Sequence, residues 1–364
     1  MKNNVSRNCS VAIVKCSSYE QEKVDKAIKK ALSLLNFKFK KGMKVLIKPN
    51  VVGAFPKKQV ATTTHPSLIE AVCKILKKEK CKIFIGDSPF TNPETSFKAS
   101  GIDKIAKKYS VIKKPLIFEQ EKQTKILDRK GILKDIEVAK IIKSADIVIN
   151  MPKLKTHVLA KYTGAIKNLY GCVPGGMKQR IHLWAQGEKK HSKVLVDIYQ
   201  HIKPQLNIMD AVIGMEGEGP TSGDAKKANL IIASRNTVAL DIAATKIIGF
   251  NPKKIFHINE AIKRKLYSGY KFDLVGMKQL PFIKFREPPK SKRTGAQSLL
   301  NRRFKEKPII CNEKLCIKCG TCAKHCPGGA ISMKPYPTID RKKCIRCFCC
   351  IEICPQDAMS LKKK

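Results

Sequence analysis

The sequence is poor in acidic residues and contains no long apolar run. Only 29 aspartate and glutamate residues accompany 73 lysine and arginine residues, so the 364-residue chain carries a formal net charge of +44. No run approaches the roughly 18 apolar residues typical of a membrane-spanning helix, and we therefore expect no membrane span. The opening residues, MKNNVSRNCS, lack the apolar stretch of a secretory signal, which predicts a cytoplasmic protein.

Fingerprints of several common ligand sites are also missing. No Gly-x-Gly-x-x-Gly follows a predicted strand, and no Gly-x4-Gly-Lys-Ser/Thr or Gly-x-Ser-x-Gly occurs. These absences disfavour a dinucleotide-binding Rossmann site, a P-loop and the nucleophile elbow of the α/β-hydrolases.

The excess of positive charge is spread along the whole chain. Lysines occur in every segment and are not gathered in one tail with interleaved aromatic residues. This distribution makes nucleic-acid binding an unlikely main role and favours attraction to an acidic redox partner protein or an anionic small-molecule substrate. The simplest alternative is that most of these lysines are solvated surface residues.

Cysteine is abundant, and eight of the fifteen cysteines form a duplicated motif. The two segments CIKCGTCAKHCP and CIRCFCCIEICP each read Cys-x2-Cys-x2-Cys-x3-Cys-Pro. The motif cysteines are Cys316, Cys319, Cys322 and Cys326 in the first repeat and Cys344, Cys347, Cys350 and Cys354 in the second. Equivalent cysteines lie 28 residues apart, as in the pairs 316 and 344 or 326 and 354, which indicates an internal duplication.

This spacing predicts two [4Fe–4S] clusters. Three closely spaced cysteines bind one cluster, and in the two-cluster arrangement the fourth ligand comes from the other repeat. The predicted ligand sets are Cys316, Cys319, Cys322 and Cys354 for the first cluster, and Cys344, Cys347, Cys350 and Cys326 for the second. Zinc is the alternative, because Cys-x2-Cys pairs also bind zinc, but zinc has no use for three cysteines in a row.

Two further cysteines leave questions open. Cys349 is either a spare thiol or a competing ligand, and the 28-residue offset favours its neighbour Cys350. Cys311 lies outside the motif and is expected to be an ordinary thiol. Residues 308–364 resemble the bacterial-type two-cluster ferredoxin family, which implies a small α+β domain.

The first 285 residues alternate between strand-like and helix-like segments. Buried strands are predicted at 9–16, 44–50 and 145–151, with amphipathic helices between them. Such alternation predicts an α/β domain over residues 1–285, with a mostly parallel sheet and flanking helices. Residues 286–307 are predicted to be a basic linker, followed by the ferredoxin-like domain at 308–364. The middle of the large domain is predicted to contain a helix near 102–109 and short strands such as PLIFEQ (115–120).

Ligands of open parallel sheets bind beyond the carboxyl ends of the strands, and unusual polar residues follow these strands. The candidate catalytic residues are Lys153, Lys155 and His157. The candidate anion site comprises Lys48, Asn50, Lys167, Asn168, Gly217 and Gly219. A metal site that combines His65, His157 or His182 with Asp87 or Asp210 is also open, as is binding of a flavin or nucleotide.

A string of motifs carries a family resemblance. The segments VLIKPNVV, TTTHP, IGDSP, ADIVINMPKLKTH, TGAIKNLYG and MEGEGPTSG occur in this order between residues 10 and 250. The region resembles the microbial domain-of-unknown-function family 362, which is often followed by a two-cluster ferredoxin module. The resemblance implies motif roles for Lys48, Asn50, Lys153, Lys155, His157, Lys167, Asn168, Gly217, Gly219 and Pro220. It implies no established reaction.

Three functions therefore compete at this level. The first is an iron–sulfur oxidoreductase that passes electrons through two clusters to or from a substrate or cofactor in the large domain. The second is an electron-carrier or adaptor subunit without a substrate site of its own. The third is a non-redox enzyme that acts on an anionic substrate and uses the clusters structurally.

Overall fold

The computed structural model describes residues 9–54, 59–89, 92–114, 116, 123–127, 135–289, 309–356 and 358–361. The first part of the chain forms β1 (Ser10–Lys15), α1 (Gln21–Leu34), β2 (Lys44–Pro49), α2 (Gln59–Thr62), α3 (Pro66–Lys78), β3 (Lys82–Ile85), α4 (Pro93–Ala99), α5 (Ile102–Lys108), β4 (Ile112–Lys113), β5 (Gln123–Leu127), β6 (Asp135–Ala139), α6 (Lys140–Ser144) and β7 (Ile147–Met151).

The second part of the large domain begins directly after β7. It forms β8 (Lys153–His157), β9 (Lys161–Thr163), α7 (Ala165–Asn168), a 3₁₀ turn (Leu169–Cys172), α8 (Gly175–Trp184), α9 (Glu188–Ile202), β10 (Leu206–Glu216), β11 (Asp224–Ser234), α10 (Thr237–Ile247), a 3₁₀ turn (Pro252–Lys254), α11 (Phe256–Lys263) and β12 (Asp273–Val275). The C-terminal segment forms β13 (Ile309–Cys311), α12 (Thr321–Lys324), β14 (Ile331–Lys334), β15 (Tyr336–Ile339), α13 (Cys349–Glu352) and β16 (Met359–Leu361).

The large domain is organised by one mixed sheet in the order β12-β1-β11-β10-β7-β2-β3-β4. Neighbours from β10 to β4 are all parallel, whereas β11 runs antiparallel to both β1 and β10. Strand β8 pairs with β10 in parallel and with β9 antiparallel, so it extends the carboxyl end of the sheet. The predicted α/β fold with a mostly parallel sheet is confirmed.

Both faces of this sheet are covered, which explains its continuous apolar strands. In β2, Leu46 packs into one core, whereas Val45 and Ile47 pack into the other. Helices α1, α3 and α5 cover the face of Val45, and α9, α10 and α11 cover the face of Leu46. The period of two in a strand therefore distributes one apolar run between two helical layers.

The start of α3 is stabilised by a capping residue and a proline. His65 is the N-cap, its ring Nδ1 accepts a hydrogen bond from the Ser67 amide at 3.3 Å, and Pro66 occupies the first helical turn. Helix α5 falls where the sequence predicts a helix. Of the predicted PLIFEQ strand, only residue 116 is among the described residues, and residues 290–307 of the predicted linker also lie outside them.

The C-terminal segment repeats its backbone at the same 28-residue offset as its cysteines. Lys318 and Arg346 have positive φ angles of 57° and 54°, and Gly320 and Phe348 have angles of 67° and 64°. Each of the latter two precedes a short helix, α12 or α13. In the part of the chain that the structure describes, no helix is long and apolar enough to cross a membrane.

This C-terminal module packs against the large domain. Leu159, two residues after β8, belongs to the apolar core that also contains Phe348 and Ile351 of the module. The Thr221 hydroxyl donates a hydrogen bond to the Ile351 carbonyl at 3.4 Å. The two loops that contact the module follow β8 and β10, at the carboxyl edge of the sheet.

Candidate functional site

Three asparagines form a hydrogen-bonded chain that links the end of β7 to the start of β10 and to α7. Asn150 at the end of β7 lies in register with Lys48 of β2 and with Asn207 of β10. The Asn150 amide donates to Asn207 Oδ1 at 2.9 Å, and the Asn168 amide donates to Asn150 Oδ1 at 2.7 Å. Asn168 thereby fixes α7 over the strand ends and belongs to the buried scaffold of this edge.

Lys48 forms a fully buried ion pair. Its Nζ lies 2.9 Å from Asp87 Oδ1, and both side chains are almost inaccessible to solvent. Gly171 permits this approach, because a Cβ at that position would lie 2.1 Å from the same carboxylate oxygen. Lys178 lies close by and donates to the Ser88 carbonyl. Burial lowers the pKa of Lys178 to about 8, while Asp87 raises it and Lys48 lowers it further.

Lys153 forms a second buried pair. Its Nζ lies 2.8 Å from Asp210 Oδ2 and 2.8 Å from the Tyr19 hydroxyl, which itself donates to Asp210 Oδ1 at 2.9 Å. Burial lowers the pKa of Lys153, and Asp210 opposes that shift. The backbone amide of His65 donates to Asp210 as well, at 2.9 Å. The pair therefore joins β8, β10 and the start of α3.

Lys155 lies two residues further along β8, and its ammonium points into the same edge. Its Nζ donates to Asn50 Oδ1 at 2.7 Å and to the Thr62 carbonyl at 2.9 Å. Asn50 is itself fixed, since its backbone N–H donates to Thr64 Oγ1 at 2.9 Å. The structure thus brings Lys155 and Asn50 together, but it engages both in internal hydrogen bonds.

His157 ends β8 with a defined tautomer. Its Nδ1 accepts hydrogen bonds from the Leu159 and Ala160 amides at 3.1 and 3.2 Å. Because an acceptor nitrogen cannot also carry the proton of a neutral ring, that proton resides on Nε2. His157 is therefore a potential donor through Nε2, and it is buried.

The two candidate glycines shape a turn. The Gly219 amide donates to the Gly217 carbonyl at 2.8 Å, and the Gly217 amide donates to the Arg286 carbonyl at 2.9 Å. A Cβ on Gly219 would lie 2.1 Å from the Thr156 carbonyl oxygen. These contacts direct both amides towards backbone carbonyls and explain the glycines by close packing against β8.

A group of buried histidines was not predicted as a unit. The histidine group comprises His157, His182, His191 and His257. The His182 and His191 rings stack with centroids 5.1 Å apart, and both meet the Tyr170 ring edge to face, at 5.8 and 5.4 Å. The ammonium of Lys167 lies 5.9 Å from the centre of the Tyr170 ring.

Other members of the histidine group contribute to lowering the pKa values of His191 and His257. Burial lowers the pKa of His257 to about 3, and Lys167 and His157 lower it further. Burial also lowers the pKa of His191 well below its ordinary value, with additional lowering by His182, Lys167, His157 and His257. His191 and His257 are therefore neutral at physiological pH.

Asp241 anchors the helix that carries Lys167. Its carboxylate accepts hydrogen bonds from the Tyr162 hydroxyl at 2.8 Å and from the Ala165 and Ile166 amides at 2.6 and 2.9 Å. Burial raises the pKa of Asp241 to about 6, although these three donors oppose the shift. Tyr162 in turn stacks on His257 with ring centroids 6.1 Å apart.

Four cysteines of both repeats line one cavity in the C-terminal module. The cavity is bordered by Cys316, Cys319 and Cys322 of the first repeat and Cys354 of the second. Hydrogen bonds reach these sulfurs from the Lys318 amide, the Thr321 hydroxyl and the Ala358 amide, at 3.4, 3.3 and 3.2 Å. Such bonds to sulfur are typical of iron–sulfur sites.

The remaining motif cysteines are neighbours as well. Burial raises the pKa of Cys350 well above its ordinary value, and the nearby Cys347, Cys344 and Cys326 thiols raise it further. The Cys326 sulfur accepts from the Ala330 amide at 3.2 Å, which repeats the bond between Ala358 and Cys354.

The two additional cysteines differ in their surroundings. Cys311 is paired with Met359 in the register of β13 and β16, and the pKa of its thiol is raised to about 12 by burial and then by a hydrogen bond with Cys316. Cys349 is buried at the start of α13, at the position that Thr321 occupies in the first repeat.

Within the described ranges, no three His, Cys, Asp or Glu side chains have the geometry for a single bound metal ion. This covers the combination of His65, His157 or His182 with Asp87 or Asp210. His65 instead caps α3 and stacks on Tyr19 at 3.7 Å.

Fold and sequence together define an α/β protein fused to a ferredoxin-type iron–sulfur module. The chain matches a 4Fe–4S dicluster domain over residues 315–358 and a domain of unknown function (DUF362) over residues 45–246, more than half of its length. The chain belongs to the DUF362 family, and it is an iron–sulfur protein. The family resemblance expected from its motifs is confirmed.

Two known proteins are similar to this chain, one in sequence and one in structure. The thylakoid-associated protein sll1697 of Synechocystis sp. (strain ATCC 27184 / PCC 6803 / Kazusa) is 31% identical over 253 residues, which cover 68% of this chain and 76% of that protein. The lactate racemase apoprotein from Thermoanaerobacterium thermosaccharolyticum superimposes with a TM-score of 0.40 and 14% identity. That match covers 67% of this chain and 59% of the racemase, less than two thirds of its length.

The sequence offered little signal for the histidine group. His191 and His257 lie on the buried faces of α9 and α11, more than 60 residues apart. A histidine on an apolar helix face ordinarily indicates core packing. Only the folding of α9 and α11 onto the same sheet face brings the two rings near Lys167.

The Lys153–Asp210 pair generates a stability prediction. Asp210→Asn should destabilise the protein by about 3–5 kcal/mol, because it leaves a buried ammonium without its counter-charge. Urea unfolding followed by circular dichroism measures the change. Asp224→Asn is the matched control, since Asp224 pairs with Arg286 at the surface with 71% of its side chain exposed. Equal losses in both variants would contradict the importance of the buried pair.

His257 generates a prediction about pH. Its pKa is about 3 in the folded protein and about 6.5 in an unfolded chain, so below pH 6.5 the unfolded state binds the proton more tightly. The stability that the neutral ring provides is therefore complete above pH 6.5 and is lost as the pH falls towards 3. His257→Phe should remove about 2 kcal/mol of the loss in unfolding free energy between pH 8 and pH 5. Identical acid sensitivity of variant and wild type would refute this assignment.

Proposed function

We propose that this protein is an iron–sulfur oxidoreductase that passes electrons through two [4Fe–4S] clusters to or from a substrate or cofactor in the α/β domain. One observation carries the proposal. The loop that begins with His157 places Leu159 in the core of the iron–sulfur module. His157 at the polar edge of the sheet is therefore only two residues from Leu159, which contacts the iron–sulfur module.

The proposed ligand sets cross between the repeats. The first cluster uses Cys316, Cys319, Cys322 and Cys354, and the second uses Cys344, Cys347, Cys350 and Cys326. The cavity that the first four thiols line and the neighbouring positions of the second four support this assignment. Cys349 is proposed to be a buried thiol outside both sets, because Thr321 occupies its position in the first repeat.

We infer the route of the electrons from the solvent exposure of the residues around each cluster. Cys319 of the first set is exposed, which suits exchange with a partner protein. Ile351, next to Cys350 of the second set, is buried against Leu159 and bonds to Thr221 of the large domain. We therefore place the first cluster on the partner side and the second on the substrate side.

His157 is the best candidate for proton delivery at that edge. Its Nδ1 is occupied by two backbone amides, so Nε2 presents the proton. When bound, the clusters supply single electrons, and reduction of an organic group generally needs protons as well. Lys153 and Lys155 are proposed as positioning residues, because their ammonium groups bind Asp210 and Asn50 internally.

An electron-carrier or adaptor subunit is the second candidate. The internal pairing of Lys48, Lys153 and Lys155 favours it, because these lysines then maintain the fold without contacting a substrate. A small molecule that co-purifies with the anaerobically prepared protein, detected by mass spectrometry, would support the oxidoreductase. If the clusters can be reduced but no small molecule co-purifies with the protein, the result would support the electron-carrier function.

The surface around the first cluster suits an acidic partner in the cytoplasm. Leu315 and Ile317 are exposed large apolar residues beside Cys316, and Lys314 and Lys318 flank them in the sequence. An apolar centre within a basic rim favours transient docking of an acidic electron carrier. The basis for proposing the cytoplasm is the eight-cysteine motif, because cysteine thiols stay reduced in that compartment.

The crossed ligand sets predict which cysteine variants behave alike. Cys354→Ser and Cys319→Ser should both lose the first cluster, whereas Cys326→Ser and Cys347→Ser should both lose the second. Each variant should fall from about eight to about four iron atoms per chain, since each cluster contains four. Iron analysis and electron paramagnetic resonance of the reduced protein measure the loss and identify the cluster.

Cys349→Ala is the matched control and should retain about eight iron atoms. If Cys354→Ser removed the same signal as Cys347→Ser, the crossed assignment would be wrong. A protein with intact clusters that cannot be reduced at any accessible potential would refute the proposed electron transfer.

The docking surface predicts a salt-dependent rate. The double variant Lys314→Glu, Lys318→Glu should slow cluster reduction by an acidic flavodoxin about tenfold at low salt, because it reverses the charge beside the exposed cluster. Stopped-flow absorbance measures the rate, and the difference should vanish near 1 M salt, where screening is nearly complete. Lys29→Glu, Lys30→Glu on α1 is the control of equal charge. Equal slowing by both pairs would indicate a net-charge effect without a docking site.

A further inference from the structure

The two repeats of the iron–sulfur module differ in the residues that separate and follow their cysteines. Comparison at the 28-residue offset pairs Gly320 with Phe348, Thr321 with Cys349, Ala323 with Ile351 and His325 with Ile353. The four residues of the first repeat are partly exposed, whereas the four of the second are buried, with at most 6% of any one exposed. The cysteine loop of the first repeat is therefore open to water, and that of the second repeat is closed.

The large domain closes the second loop. Phe348 and Ile351 share an apolar core with Leu159, and the Ile351 carbonyl accepts the hydrogen bond from Thr221. In the first repeat, a Cβ on Gly320 would meet no atom of the described residues within 4 Å. The space that the Phe348 side chain fills in the second repeat is therefore empty of protein in the first.

Four backbone hydrogen bonds to sulfur are matched between the two repeats. The matched pairs are Lys318 to Cys316 with Arg346 to Cys344, and Ala358 to Cys354 with Ala330 to Cys326. With the crossed ligand sets, each cluster receives one bond of each kind. These bonds therefore do not distinguish the two clusters.

Side-chain hydrogen bonds to sulfur do differ. The Thr321 hydroxyl donates to the Cys319 sulfur at 3.3 Å. Its counterpart Cys349 offers a thiol, which is a weaker donor than a hydroxyl. The Cys311 thiol also bonds to Cys316, and the residue 28 positions later is an isoleucine without a donor. The first ligand set thus has the stronger side-chain donors.

Reduction adds one negative charge to a cluster. Hydrogen bonds to sulfur and contact with water stabilise that charge, whereas an apolar, buried environment opposes it. We propose that Thr321 and the closed loop around Phe348 give the clusters different potentials, so that the first cluster is reduced before the second. One electron leaves the second cluster as one enters the first, so the exchange needs no proton and no further reactant.

This inference rests on the proposed function, because it uses the crossed ligand sets and the route between partner and substrate. An electron on the substrate side then moves downhill to the exposed cluster on the partner side. Transfer in the other direction is uphill at this one step. Thr321 is a positioning residue in this scheme, since it acts on the cluster through the Cys319 sulfur.

Exposed charges act in the opposite direction. Three basic residues lie directly before the second repeat, where the first repeat has an acid, a base and a leucine: Arg341, Lys342 and Lys343 against Glu313, Lys314 and Leu315. Lys324 and Glu352 each lie between cysteines of both ligand sets, so their charges act on both clusters. Because about 1 M salt screens exposed charges beyond about 3 Å, measurement in that salt isolates the effects of hydrogen bonding and burial.

The test is a redox titration of the full-length, anaerobically prepared protein in about 1 M salt, followed by electron paramagnetic resonance. Wild type should show two midpoint potentials. Thr321→Val should lower the higher one, with an approximately threefold change in the reduction equilibrium, which is about 28 mV for one electron. Thr321→Ser retains the hydroxyl and should restore the wild-type value. Cys349→Ser adds a hydroxyl to the second repeat and should raise the lower potential.

Two further variants complete the design. Thr338→Val is the matched control, because the Thr338 hydroxyl donates to the Tyr336 carbonyl and not to a cysteine. It should leave both potentials unchanged. Cys347→Ser should lose the second cluster, and the remaining signal should titrate near the higher wild-type potential. A remaining signal near the lower potential would overturn the assignment.

The iron content of each sample separates this inference from the proposed function. If the clusters are complete and reducible but Thr321→Val titrates like wild type, only this inference is overturned. Two equal potentials in wild type would overturn it as well. If no cluster can be reduced, the proposed electron transfer is overturned and this inference with it. Should Thr321→Val fail to assemble its clusters, Cys349→Ser carries the comparison.

Discussion

The carboxyl edge of the sheet depends on two buried ammonium–carboxylate pairs, Lys48 with Asp87 and Lys153 with Asp210. A buried charge is tolerated only when a partner and hydrogen bonds compensate for the lost hydration. Each carboxylate also accepts a backbone amide from a loop, Val51 at Asp87 and His65 at Asp210. The pairs therefore position the segment between β2 and α3 at the carboxyl edge of the sheet.

Strand β8 connects this charged edge to the iron–sulfur module. Within five residues it carries Lys153 in a buried pair, Lys155 in a buried hydrogen-bond network and His157 with a fixed tautomer. Leu159 follows and enters the core of the module. His157 is therefore two residues from the core of the iron–sulfur module.

Sequence reasoning succeeded where local chemistry decides the outcome. The apolar run at 44–50 predicts a buried strand, and the helix predicted near 102–109 is α5. Reasoning from single residues was less informative at the strand ends. Lys48 looks the same in the sequence whether it meets a substrate or Asp87, 39 residues away. The internal pairs of these lysines became visible only when the strands were in register.

The sequence by itself determined the iron–sulfur module and the α/β class of the large domain, because a repeated cysteine spacing and strand–helix alternation are local patterns. The tertiary structure decided which polar groups neutralise one another and which gather around Lys167. His191 and His257 come from separate helices, and only the packing of α9 and α11 on one face of the sheet brings them into one group. Contacts between charges or rings that are far apart in the chain follow no repeating spacing, so the sequence pattern does not predict them.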